Sequence, residues 1–190
     1  LSTRFWAPYA AQAIGFDATP DMIEYARSRN PFPNVAFCQG FAHQIGLPDA
    51  CADIITCCQS FHWMEPETTL AEVARLLRPG GVFYLSFPPF YSLALVGGHI
   101  FKPFHFFGEQ TAVRLYNWLH RTQIAGYASS YGPHGGLVPL TIRQVREMLL
   151  SGGFTLQDMY TRLSRINTAR LPGLLADLLT WHVCYLARKP

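Results

Sequence analysis

Apolar and polar positions along the first two-thirds of the chain switch repeatedly between two periods. Short apolar runs, five to seven residues long, alternate with stretches whose apolar residues recur every three or four positions. Runs of the first kind read as strands and stretches of the second as amphipathic helices. Ala13–Asp17 is the first such strand and ends in an acid. Thr19, Pro20 and Asp21 then supply an N-cap, a residue suited to the first helical position and a charge that favours the positive helix end. The helix they open runs to about Arg29, with Met22, Ile23 and Ala26 inward. A Pro-rich loop leads to a second strand, Val35–Gln39.

After a turn-rich connection at 46–51, the run 53–58 is near-continuously apolar, as in a buried parallel strand. Glu65-Pro66 opens a helix with Leu70, Val73, Ala74 and Leu77 on one face, and Arg78-Pro79-Gly80-Gly81 stops it. Residues 82–87 form the next buried strand. Strand and helix alternating at this spacing predict an α/β fold, a parallel sheet with helices on both faces. A long aromatic and Gly-rich insertion follows at 88–136, with one helix near 110–121. Alternation resumes at Thr141, whose pairing with Gln144 is a capping box. Ile142, Val145 and Leu149 face inward, and Ser151-Gly152-Gly153 ends that helix. A strand at 154–166, a Leu-rich helix at 171–179 and a strand at 181–187 complete the pattern.

Composition narrows the class. The chain has 190 residues, 49% apolar and 14% charged, which suits one domain, 1–190, with a substantial core and excludes wholesale disorder. A net charge of +3 gives no ground for a nucleic-acid partner, and Arg143, Arg146, Arg162 and Arg165 read as a solvated surface. The most apolar window, 83–107, is broken by Pro88, Pro89, Gly97, Gly98, His99, Lys102, Pro103 and His105, so no membrane partner is expected. No secretory signal is visible, and the five cysteines include an adjacent pair and no zinc-finger spacing. They read as reduced thiols of a cytoplasmic protein. Oligomeric state is left open.

In open α/β sheets ligands bind beyond the carboxyl ends of the strands. That directs attention to Asp17, to Gln39-Gly40-Phe41-Ala42, to Gln59-Ser60-Phe61-His62-Trp63 and to Phe87-Pro88-Pro89. Asp17 is placed to accept both ribose hydroxyls of a nucleotide, or merely to cap the following helix. His62 suits proton removal near neutrality, since an unperturbed imidazole titrates at about 6.5. Alternatively, His62 and Trp63 only shape or fill a pocket. His99 and His105, even with His43 or His134, match no metal signature, so no metal is expected.

Three segments carry a family resemblance. Gly15-Phe16-Asp17-Ala18-Thr19-Pro20-Asp21-Met22 resembles the GxDxSxxM segment of class I S-adenosylmethionine-dependent methyltransferases. Residues 47–55 resemble their LPFxDxSFDxV segment, and residues 76–81 their VLKPGG turn. Phe61-His62-Trp63 is similar to the AxHW of a small-molecule branch that includes aconitate-type enzymes. The resemblance is dense over 1–87 and looser beyond. It implies a Rossmann-like three-layer sandwich, a mostly parallel sheet with a C-terminal antiparallel strand.

It further implies S-adenosylmethionine as cofactor and O- or C-methylation of a small organic acceptor. Asp17 would hold the cofactor's ribose, with Ala18 and Met22 flanking the adenine and Phe41 and Ala42 along its edge. Gln59 and Ser60 would lie near the methionine part. His62 would be the general base, and Trp63 would line the acceptor pocket with Tyr91, His99 and His105 from the insertion. The sequence departs from the family in two places. Phe41 stands where relatives often have an Asp that accepts from the adenine amino group. Leu1-Ser2-Thr3-Arg4-Phe5-Trp6 resembles a helix start directly after the family's GxGTG turn, so its first strand and Gly-rich loop are expected to be missing here. Two other readings stay open: a truncated remnant that binds cofactor weakly or not at all, and an NAD(P)-dependent oxidoreductase. The second is disfavoured by segments 47–55 and 76–81 and by the lack of a Tyr-x-x-x-Lys pair.

Overall fold

The structure is a computed structural model, and it describes residues 2–89, 114, 118, 140–161, 167–172, 174–180 and 182–190. The chain resolves into two compact units, Leu1–Leu47 and Pro48–Pro190. In the first, a short helix α1 (Ser2–Phe5) precedes strand β1 (Ala13–Asp17), helix α2 (Pro20–Ser28) and strand β2 (Val35–Gln39). The two strands pair in parallel with Ala13 opposite Val35 and Asp17 opposite Gln39. Both match their predicted bounds. The α2 start is also as predicted, with Thr19 at the N-cap and Pro20 first, although the Thr19 side chain makes no capping bond. Ala7, Ile23, Val35 and Phe37 form the core of this unit, with Ala13 and Ala26 packed against it. Met22 departs from its inward expectation and is 54% exposed. A two-stranded sheet is narrow, and Ile23 and Ala26 are the α2 residues that reach its core.

The second unit holds β3 (Ala52–Cys58), a 3₁₀ turn (Phe61–Trp63), α3 (Pro66–Leu76) and β4 (Leu77–Phe87). After the insertion come α4 (Ile142–Ser151), β5 (Thr155–Thr161), a 3₁₀ turn (Thr168–Arg170), α5 (Leu174–Leu179) and β6 (Val183–Arg188). The sheet order is β3-β4-β6-β5. β3 and β4 are parallel, and β6 runs antiparallel between β4 and β5. Along β4 and β6 alternate residues Phe83, Leu85, Phe87, Val183, Tyr185 and Ala187 are buried in one cluster. Leu70 and Val73 of α3, Val145 and Leu149 of α4 and Ala176 of α5 join that cluster. This is the period-two face of a sheet meeting the inner stripes of helices.

Local chemistry explains where these elements start and stop. The capping box is present: Thr141 Oγ1 accepts from Gln144 N, and Gln144 Oε1 accepts from Thr141 N at 3.0 Å. Ile142, Val145 and Leu149 are buried as predicted. Two expectations fail. β4 begins at Leu77, read as the last inward residue of the helix, and runs through the 78–81 segment read as its stop, because that segment is held by its neighbours. Gly80 N donates to Lys189 O, Lys189 N donates to Gly81 O, and Lys189 Nζ donates to Leu77 O. β3 is at the sheet edge among the described residues, and Ile54 is 48% exposed rather than buried. Of the helix expected near 110–121, Arg114 and Trp118 are described, and both are helical.

Candidate active site

In the first unit the two strand ends are joined by hydrogen bonds. Gly40 N donates to Asp17 O at 3.0 Å, and Gln39 Nε2 donates to Ala18 O at 3.2 Å. Thr19 N donates to Asp17 Oδ1 at 2.8 Å. This is a local turn ahead of α2 rather than a cap on it, since Thr19 is itself the N-cap residue, and the carboxylate stays exposed. An ionised carboxylate offers about four acceptor positions, so this bond orients it without exhausting it. Ala18 and Ala42 are half-buried. Phe41 is 40% exposed and stacks on His43 with ring centroids 5.6 Å apart. Met22 and Phe41 are thus large apolar groups left in solvent on the elements that flank Asp17. A cavity of about 540 Å³ lies along α2, lined by Pro20, Ile23, Glu24, Arg27, Ser28 and Gln39. Its lining leaves out Asp17, Met22 and Phe41, so it is not the predicted ribose and adenine site.

In the second unit the chain turns sharply after β3. Gln59 adopts φ +57, a left-handed conformation unusual for a residue with a Cβ, and its N–H donates to Ser86 O at 2.7 Å. Such strain persists where surrounding structure enforces it, most often at functional sites. Phe61 is fully buried and anchors the turn. Trp63 N donates to Ser60 O, and Met64 N donates to Phe61 O. His62 and Trp63 are half-buried, their rings 5.1 Å apart and inclined by 43°. The His62 Nδ1 atom is shielded from solvent.

Beneath this turn, Cys57 Sγ lies 3.2 Å from Ser60 Oγ and donates to Met64 Sδ at 3.9 Å. Burial pushes the Cys57 thiol up to about 11, so it is a neutral thiol and not a nucleophile at physiological pH. Sequence reading missed this cysteine as part of the site. A thiol three residues before a serine and seven before a methionine is the one hint the sequence carries.

The predicted residues therefore fall into two groups, Asp17, Ala18, Phe41 and Ala42 at strand ends with Met22 on α2 in one unit, and Gln59, Ser60, His62 and Trp63 after β3 in the other. Tyr91, His99 and His105 lie outside the described residues, as does His134. Among the described residues no cluster of three His, Cys, Asp or Glu side chains could hold a metal, and no helix is long and apolar enough to cross a membrane.

Comparison with known proteins bears on this arrangement. Residues 1–85 match the family described as a methyltransferase domain. Over that stretch the chain is similar to methyltransferases. An uncharacterized methyltransferase-like protein of Schizosaccharomyces pombe is 36% identical over 81 residues, 43% of this chain and 31% of that protein. The uncharacterized methyltransferase YcgJ of Bacillus subtilis is 39% identical over 84 residues, 42% of this chain and 33% of that protein. The chain thus spans about a third of the length of the curated relatives it matches. The crystal structure of an S-adenosylmethionine dependent methyltransferase from Mesorhizobium loti superposes with a TM-score of 0.62 at 16% identity, over 95% of this chain and 81% of that one. Likeness at this identity is one of fold, and the fold is the Rossmann-like methyltransferase fold with its antiparallel C-terminal strand.

Proposed function

We propose that this protein transfers a methyl group from S-adenosylmethionine to a small organic acceptor, at oxygen or carbon. The observation that carries the reading is the methyltransferase-domain match over 1–85, a stretch that contains Asp17, Phe41 and Gln59 at three successive strand ends. Within the first unit the residues present suit the nucleoside half of such a cofactor. Asp17 offers an exposed, oriented carboxylate for ribose hydroxyls. Met22 and Phe41 offer exposed apolar faces for a purine, with Ala18 and Ala42 small enough to let it approach. Phe41 cannot accept from an adenine amino group, so recognition there falls to stacking and backbone groups. Gln59 and Ser60 would hold the methionine part.

When bound, S-adenosylmethionine supplies a methyl group already activated on a sulfonium. The task left to the protein is alignment, which converts an encounter into a near-attack geometry. Trp63 gives an apolar wall for the acceptor. His62 takes the acceptor's proton where the acceptor is an alcohol or a carbon acid. With Nδ1 shielded, that proton goes to Nε2. A carboxylate acceptor needs no such base. The free thiols of all five cysteines support a reducing, cytoplasmic setting.

Isothermal titration with S-adenosylmethionine and S-adenosylhomocysteine tests the reading directly. Saturable binding of both is expected, weakened at least about tenfold by Asp17→Ala through loss of charge-assisted hydrogen bonds. No binding of either ligand to the wild-type protein would end the proposal.

A further inference from the structure

We propose that Cys57 is a positioning residue for the acceptor side of the site, its buried thiol joining both ends of the turn that carries His62 and Trp63. The inference rests on the reading of those two residues given above. A three-residue 3₁₀ helix has poor hydrogen-bond geometry and little persistence of its own. This one spans Phe61–Trp63, with Ser60 as its N-cap residue and Met64 as its C-cap residue. Cys57 Sγ reaches both caps, Ser60 Oγ at 3.2 Å and Met64 Sδ at 3.9 Å. Ser60 makes no side-chain capping bond of the usual kind.

The donor pattern follows from counting protons. A neutral thiol has one S–H, and that proton is directed at Met64 Sδ. Ser60 Oγ must then be the donor to Cys57 Sγ. A thiolate could accept from Ser60 but could not donate to Met64. The pKa of about 11 that burial gives Cys57 keeps both bonds in place across the physiological range. Cys57 also belongs to the main hydrophobic cluster, together with Phe61, so its sulfur sits on a fixed base. Strained Gln59 on one side and the two sulfur contacts beneath leave the His62–Trp63 pair little freedom to turn.

The test compares the full chain with Cys57→Ala, Cys57→Ser and Met64→Leu. The His62 ring is followed by NMR through a pH titration, its signal assigned by loss in His62→Gln. In Cys57→Ala the His62 midpoint is expected to differ from that of the wild type. Cys57→Ser keeps a partner for Ser60 and should move it less, and Met64→Leu should do likewise. Calorimetric affinity for S-adenosylmethionine should stay within about twofold in Met64→Leu, which leaves the contact between Cys57 and Ser60 in place.

A Cys57 that merely fills the core would lower the melting temperature and leave the His62 midpoint where it was. That result overturns the proposal, and so does a loss of cofactor affinity in Met64→Leu as large as its effect on His62. Met64→Leu preserves volume and carries the test should Cys57→Ala fail to fold. A wild-type protein that binds no S-adenosylmethionine would defeat the proposed function. The His62 comparison needs no ligand and would still decide whether Cys57 positions that ring.

Discussion

The two units hold themselves together by different means. The Pro48–Pro190 unit has a continuous apolar cluster in which Phe83, Leu85, Phe87, Val145, Leu149, Val183 and Tyr185 are fully buried. The Leu1–Leu47 unit has a small core and relies on side chains that bind backbone carbonyls. Arg27 donates through Nε and Nη2 to Phe37 O at 2.9 and 2.7 Å. Asn34 Nδ2 donates to Ala7 O and Ala10 O, Asn30 Nδ2 to Val35 O, and Arg4 Nη1 to Arg29 O. A two-stranded sheet is marginal on its own; the bonds to Val35 O and Phe37 O satisfy strand carbonyls, and the others tie the loops and the α2 end to the unit. The difference teaches where each unit is vulnerable. One depends on packed volume, the other on a few polar side chains. The unit with the polar framework also carries the residues proposed to hold the ribose and adenine, so ligand binding should raise its stability most.

Phe83→Ala is the largest way to break the contrast. Phe83 is fully buried, with its ring 5.9 Å from that of Phe154, and its removal should cost about 3–5 kcal/mol. Denaturant unfolding would read the loss. Hydrogen exchange should place it in 48–190. Asn34→Ala comes next. It removes one donor group but leaves two carbonyls without it, so about 1–3 kcal/mol is expected, with faster exchange confined to 1–47. Equal sensitivity of both units to apolar truncation, with Asn34→Ala silent, would erase the distinction.

How far the sequence revealed all this depended on whether the cause was local. The capping box at Thr141 and Gln144, the Pro20 helix start and the bounds of β1 and β2 are set by neighbouring residues, and they are legible. The edge position of β3 was not, because an apolar run does not say which strands lie beside it; Ile54 is exposed for that reason. Nor was the reach of β4 back to Leu77, which depends on Lys189, more than a hundred residues away. The strand ends of the candidate site were visible, since Asp17 and Gln59 follow readable strands. Their detailed geometry was not. That Asp17 is already bonded to Thr19, that Gln59 is left-handed and that Cys57 spans a turn are facts of conformation, not of residue order.

Gln59 allows a sharper test within the larger unit. Its φ of +57 costs a residue with a Cβ about 1 kcal/mol or more, which glycine would not incur. Gln59→Gly should therefore raise stability by up to about 1 kcal/mol, net of the extra entropy of glycine in the unfolded chain. Affinity for S-adenosylmethionine should fall in the same variant, because the strained side chain is proposed to lie beside the methionine part. A more stable protein that binds less well is the signature of strain held for function. A variant that loses stability would show that Gln59 is comfortable where it is.

Asp177 gives the subtlest contrast, between a polar group in the apolar unit and those on the rim of the other. It is 5% exposed on α5 and accepts from Ile142 N at 2.8 Å, at the first turn of α4. Tyr185, whose hydroxyl donates to Ile142 O, faces the same point from β6, and Arg146 of α4 lies within electrostatic range of Tyr185. Burial raises the Asp177 pKa, and the Ile142 hydrogen bond offsets this in part. A carboxyl group with a folded pKa above its unfolded value favours folding most when protonated. Its contribution is full below the unfolded value near 3.8 and is lost as pH rises through the raised one. Asp177→Asn keeps an uncharged acceptor for Ile142 N and removes the titration. Stability of the variant, followed by denaturant midpoint between pH 4 and pH 8, should vary less than that of the wild type and should gain on it toward the alkaline end. A variant that instead loses ground as pH rises would mean that the ionised carboxylate at the α4 N-terminus outweighs its burial, and the larger unit too would then draw part of its stability from a charge.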